Sequence, residues 1–186
     1  MSGTSPSVLL PDRTSRRIAL VSSYLGRWPY RRHDWFAALS TACRNLVPGG
    51  STLLSVAGTT TAPYLERCAE LFGHRIESKA VRGVARSDRD RLAIREADTI
   101  IVLSVRNRSR TGSLIEELLA NPPEHGPSLW FARTTSLVPS RTARLWESGG
   151  ARPFDPRPRV QVTRPATVEP GRLASVRQTN SNDWLL

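Results

Sequence analysis

The sequence predicts an α/β fold, a parallel sheet of about five strands with helices on both faces. Three observations predict it. Short runs rich in strand-forming residues alternate with segments whose apolar residues recur at helical spacing. The runs at 17–25, 51–58 and 98–105 are the most apolar, as central strands buried on both faces are. Glycine, proline and capping residues punctuate the boundaries.

Residues 1–16 are polar and are expected to be a flexible N-terminus. RIALVSSYL (17–25) is the first strand. DWFAALSTACRNL (34–46) places Trp35, Phe36, Leu39, Ala42, Cys43 and Leu46 on one helical face, with Asp34 as a cap and PGG as the stop. STLLSVAG (51–58) is the second strand. TAPYLERCAELFG (61–73) is a helix that tolerates Pro63 in its first turn and stops at Gly73. HRIESKAV (74–81) is a third, more polar strand. SDRDRLAIREA (87–97) is a helix capped by Ser or Asp. DTIIVLSV (98–105) is the strongest strand signal in the chain. GSLIEELLAN (112–121) is a helix ended by Pro122-Pro123. SLWFAR (128–133) is a fifth strand, and SRTARLWESGG (140–150) a last helix. Right-handed crossovers joining such units give a Rossmann-like three-layer α/β/α sandwich over residues 17–150. After Gly150 the pattern fails. Residues 151–186 are rich in proline and arginine and are expected to be a disordered or loosely packed tail. The alternative is an arm that uses the short strand RVQVT (159–163) and Trp184-Leu185-Leu186 as an anchor.

Composition narrows the function. The formal charge is +11, and Lys79 is the one lysine among 27 basic residues. Such a chain favours anionic partners: phosphates, nucleotides or nucleic acid. The arginines are dispersed rather than striped, and no helix-turn-helix, zinc or RRM-type signature is visible, so nucleic acid is the less favoured partner. Cys43 and Cys68 fall on apolar helix faces and read as free thiols in a reducing compartment. They and three scattered histidines offer no metal-ligand spacing, and no cofactor motif is present. No apolar run is long enough to span a membrane, and the N-terminus lacks a signal-peptide pattern, so the expected location is the cytoplasm.

In an open parallel sheet, ligands bind outside the carboxyl ends of the strands. Three turns are therefore candidates. SSYLGRWPYRRHD (22–34) carries Ser22 and Ser23, a glycine, aromatics and arginines, which suit a phosphorylated, ring-bearing ligand. A surface loop whose tryptophan packs on the core would look the same. AGTTTAPYLERC (57–68) puts Gly58, Thr59, Thr60 and Thr61 before a helix, where amides and hydroxyls suit an anion. One threonine would suffice as a helix cap. It is neither a Walker P-loop nor G-x-G-x-x-G. RNRSRTGSLIEE (106–117) sets Arg110, Gly112 and Ser113 before Glu116. Its amides and arginine could hold a phosphate while the glutamate manages a proton. A glutamate near a helix start also satisfies the helix dipole without any function.

GSLIE (112–116) resembles the G-T-x-x-E half of the P-G-G-x-G-T-x-x-E motif of the LOG-type, "lysine decarboxylase-like" phosphoribohydrolases, with serine for threonine. AGTTTAPYLERCAELFGHRIE resembles the glycine-rich turn, helix and strand of that superfamily. SDRDRLAIREADTIIVL resembles the segment in which an arginine precedes Ala-Asp and the strand leading to the motif. VSSYL resembles its serine-rich first strand. The likeness covers roughly residues 17–135. It implies Arg89 as the catalytic arginine and Glu116 as the catalytic glutamate. It departs where NRSR replaces the paired glycines and where threonines replace a glycine run, so a phosphate cannot approach the backbone as closely. The wider SLOG-like superfamily of nucleotide and sugar-phosphate binders is the broader match.

The expected function is therefore a domain that binds a nucleotide or sugar phosphate and cleaves or transfers at an N-glycosidic bond, as phosphoribohydrolases or deoxyribosyltransferases do. In that reading, Arg89 polarises, Glu116 stabilises the developing oxocarbenium or activates water, and Thr59–Thr61, Gly112 and Ser113 bind phosphate. A non-catalytic nucleotide sensor is the alternative, and nucleic-acid binding through the arginine-rich surface a third. The resemblance also allows a homodimer.

Overall fold

The computed structural model describes residues 16–24, 29–85 and 88–157. The expectations for the N-terminus, for most of the tail and for Gly26 and Trp28 lie outside them.

Among these residues, six strands form one sheet, all parallel. They are β1 (Arg17–Ser22), β2 (Thr52–Val56), β3 (Arg75–Lys79), β4 (Thr99–Ser104), β5 (Ser128–Ala132) and β6 (Arg152–Phe154). Among the described residues, five α-helices alternate with them: α1 (Pro29–Thr41), α2 (Ala62–Phe72), α3 (Arg89–Arg95), α4 (Arg110–Ala120) and α5 (Ser140–Ser148). The strand order is β3-β2-β1-β4-β5-β6, the Rossmann-like order in which the chain reverses its direction of travel between β1 and β4. Every residue of β4 is buried, and so is β1 after Arg17, which requires cover on both faces. The core is built on these strands and on Trp35, Phe131 and Trp146, all fully buried.

β2, β1 and β4 are central, as their apolar runs predict. β3 is polar because it is an edge: Arg75, Glu77 and Lys79 blunt an otherwise open ladder. Glu96 ties this edge to the start of β1, accepting from Arg17 at 2.7 Å and pairing with Lys79. Those two cations hold the Glu96 carboxyl below its ordinary range, Lys79 first and Arg17 second.

Several boundaries differ from the sequence pattern. α1 begins at Pro29, which suits a first helical turn, so Asp34 sits inside the helix and not at its cap. The Asp34 carboxylate instead accepts from the Ser136 hydroxyl. After Thr41 the helix widens into a π-helical turn, Ala42–Leu46, and His74 Nε2 lies 2.9 Å from the Cys43 carbonyl there. The alternating pattern read from sequence stops at Gly150, yet β6 follows directly and pairs with β5. A three-residue strand containing Pro153 carries almost no sequence signal. It is tolerated because an edge strand can lack an N–H. Cys43 and Cys68 are free and buried. Among the described residues, no helix is long and apolar enough to cross a membrane.

Candidate functional site

The reversal of strand order between β1 and β4 opens a crevice at their carboxyl ends. A cavity of about 480 Å³ lies there, within the range of ligand pockets. Ser22 and Ser23 line it from the end of β1, and Gly58, Thr59 and Thr60 from the turn after β2. The turn after β4 supplies residues 106–111, and α3 supplies Asp90. The β1–β4 register slips between Val21 and Ser22, so that Ser22 stands opposite Ser104. Such irregularities bend strand ends beside sites.

Each wall follows from local chemistry. Ser22 is buried, and its hydroxyl accepts from Trp35 Nε1 at 2.9 Å while sharing hydrogen bonds with Ser104 Oγ (2.7 Å) and the Tyr24 carbonyl (2.9 Å). It holds the strand ends together and has little capacity left for a ligand. Ser23 Oγ accepts from the Arg106 amide at 2.9 Å, and among the described residues its own proton has no acceptor. The Arg106 guanidinium lies 4.9 Å above the Tyr24 ring, which fixes one rim of the cavity.

The three threonines divide their work. Thr59 Oγ1 donates to the Val56 carbonyl at 2.9 Å and accepts from the Ala62 amide at 3.3 Å, capping α2. Thr61 Oγ1 donates to the Leu20 carbonyl at 2.9 Å and pins α2 to β1. Thr60 lines the cavity and has no side-chain hydrogen bond among the described residues. Gly58 has φ +80°, a left-handed conformation that favours glycine. Arg89 packs against it: a Cβ at position 58 would stand 1.6 Å from Arg89 Nη1. Arg89 donates to the Ala57 carbonyl at 3.1 Å.

The turn after β4 is closed by the Ser109 amide, which donates to the Arg106 carbonyl at 3.2 Å. Arg108 within it has φ 57°, the one positive φ of a non-glycine residue among those described. Its left-handed backbone costs about 1–2 kcal/mol. Ser109 then caps α4, its hydroxyl accepting from the Gly112 amide at 3.1 Å. α4 therefore starts at Arg110, two residues before the Gly-Ser pair. Gly112 and Ser113 do not offer free amides, because the Ser113 amide donates to the Ser109 carbonyl at 3.0 Å. Gly112 is small for packing: a Cβ there would lie 3.1 Å from Val105 Cγ2.

The acid in this cavity is Asp90, which the sequence pattern did not single out. It is 9% exposed, and one oxygen accepts from Thr111 Oγ1 at 2.8 Å. Burial pushes its carboxyl above the ordinary range, and the Thr111 bond opposes that rise without cancelling it. In the sequence Asp90 looks like an ordinary first-turn helix acid. The available signal is its alternation with arginine in Asp-Arg-Asp-Arg beside the helix start.

Of the sequence-derived candidates, Ser22, Ser23, Gly58, Thr59, Thr60 and Arg110 line this cavity, and Arg89 backs its Gly58 wall. Arg110 also faces Asp88, with Nε–Oδ1 at 3.4 Å. Thr61, Gly112 and Ser113 are not among its lining residues. Glu116 is exposed and lines an adjoining cleft of about 240 Å³ with Val105, Gly112, Ser113 and Thr142. The two clefts share Arg106, Arg108 and Ser109. Arg89 thus stands beside the turn after β2, and Glu116 lines the cleft beside the turn after β4.

No protein-family model, curated protein or solved structure matches the chain. The fold is Rossmann-like on its strand order.

Proposed function

We propose that the cavity between the ends of β1, β2 and β4 binds a nucleotide or sugar phosphate, and that the chemistry done there is cleavage or transfer at an N-glycosidic bond. One observation carries the binding: a cavity at the reversal point of a parallel sheet, with Arg106, Arg108 and Arg110 at its edge and an uncommitted Thr60 hydroxyl and Ser23 proton inside. Arginine forks match phosphate oxygens, and hydroxyls complete their coordination. The strained backbone of Arg108 supports the same reading, since strain of this kind persists where it positions a functional group. The resemblance of residues 17–135 to LOG-type phosphoribohydrolases supplies the reaction class.

A second reading has a specific observation behind it. Glu116, the acid that the resemblance makes catalytic, faces the adjoining cleft and not the main cavity. A nucleotide sensor that has lost turnover fits that placement. Titration of the full chain with nucleoside 5′-monophosphates, at low and high salt and with analysis for released base, separates the readings. Saturable binding with base release supports the enzyme, and saturable binding without release the sensor. Absence of binding refutes both.

A further inference from the structure

Taking the cavity as a nucleotide site, we infer that Asp90, oriented by Thr111, is the acid–base residue that moves the proton when the N-glycosidic bond breaks. Asp90 is the one carboxylate that lines the main cavity among the described residues. Its surroundings are fixed. Thr111 is 5% exposed and stands in the first turn of α4, which Ser109 starts; its bond to Asp90 joins α4 to α3. One carboxylate oxygen is thereby committed. The other has no protein partner among the described residues, so a buried acid presents a free oxygen to a cavity.

Joining α4 to α3 does not require that this residue be an acid. In a chain this rich in arginine, a buried carboxylate held for stability would be paired, and Asp90 has no ion-pair partner among the described residues. Arg89 is spent on the Ala57 carbonyl, and Arg110 faces Asp88. An asparagine would accept the Thr111 bond equally well and avoid burying a charge. The charges around Asp90 come from two elements. Asp88, Arg89 and Arg91 belong to the α3 segment, and Arg106, Arg108 and Arg110 to the turn after β4 and the start of α4. The β1 and β2 ends contribute only uncharged residues. Burial outweighs the Thr111 hydrogen bond and raises the carboxyl, which keeps the acid form available at higher pH.

The step balances with water as co-reactant. As the C1′–N bond breaks, its electron pair stays on the base nitrogen, which takes the proton from Asp90. Water then adds its oxygen to C1′, and the proton it sheds restores Asp90. The products are free base and sugar phosphate.

The test uses the full chain with adenosine, guanosine, cytidine and uridine 5′-monophosphates as probes, measuring binding and released base separately. Asp90→Asn should lower base release by about 10²- to 10⁴-fold, the range of one general acid–base group, while binding changes by less than about threefold. Glu116→Gln should cost less than Asp90→Asn. Thr111→Val, which serves if the asparagine variant misfolds, should move the alkaline limb of the pH–rate profile upward, because the bond that holds the carboxyl down is gone. Full activity in Asp90→Asn, or an unmoved limb in Thr111→Val, would overturn the inference. Binding without base release by the wild type would overturn it too, while leaving the binding reading intact. No binding of any probe would overturn both.

Discussion

Gly58→Ala perturbs stability and site together, and its cost can be worked from the geometry. Gly58 has φ +80°, so any L-residue there carries a left-handed penalty of about 1–2 kcal/mol. The added Cβ would stand 1.6 Å from Arg89 Nη1, whereas ordinary contact begins near 3.4 Å. The guanidinium must therefore retreat by about 1.8 Å, the difference of those two distances. That movement breaks its 3.1 Å hydrogen bond to the Ala57 carbonyl, worth about 1 kcal/mol at an exposed position. The sum is about 2–3 kcal/mol. A domain of this size loses about 2–4 °C of Tm per kcal/mol, so the expected drop is about 4–12 °C. Thermal unfolding of Gly58→Ala, Arg89→Ala and the double variant checks it. With Arg89 already truncated, adding the Cβ should cost only the left-handed term, which gives a coupling of about 1 kcal/mol. Strictly additive effects, or a wild-type Tm in Gly58→Ala, would refute the claim that Gly58 exists to admit Arg89.

Three further outcomes are expected. Arg108→Gly should be at least as stable as wild type, because glycine accepts φ 57° without strain, yet bind nucleoside monophosphates about tenfold or more weakly; calorimetry reads both. Asp90→Asn should be more stable than wild type at pH 7. Burial raises the folded-state pKa of Asp90 above its unfolded value, so the folded protein binds more protons in the window between them and stability falls as pH rises through it. The Tm advantage of Asp90→Asn should shrink as pH falls toward about 3.9, the unfolded carboxyl value, and a less stable variant at pH 7 would contradict the sign. Ser22→Ala should cost about 1–3 kcal/mol by stranding the Trp35 N–H, with nucleotide affinity unchanged in titration, since the hydroxyl serves the strand ends and not the ligand.

Much of the fold was legible because burial on two faces leaves a direct trace in sequence. IALV, LLSV and TIIVLS read as central strands and are central. The charged RIESK reads only as a more polar strand, and it stands at the edge of the sheet. What escaped was decided by tertiary contacts. The three residues of β6 become a strand only because β5 offers an edge to pair with. The start of α4 shifted because Ser109, and not the more conspicuous Gly112, supplies the cap. The site was legible as a place, the ends of β1, β2 and β4, and less so residue by residue. Ser22 looks like a ligand hydroxyl until Trp35, thirteen positions on, folds back to use it. Asp90 looks like a solvated helix acid until Thr111, twenty-one positions on, buries it. Nothing local in either segment encodes those meetings.

Capture of a phosphorylated ligand by the arginine-edged cavity underlies every functional step proposed above. Calorimetric titration of the full chain with the four nucleoside 5′-monophosphates, at low and high salt, tests this directly. The expected result is saturable one-to-one binding of at least one of them that weakens with salt but persists, is competed by ribose 5-phosphate, and falls in Arg108→Gly. Heat that does not saturate, or binding abolished by salt and indifferent to Arg108, would contradict it.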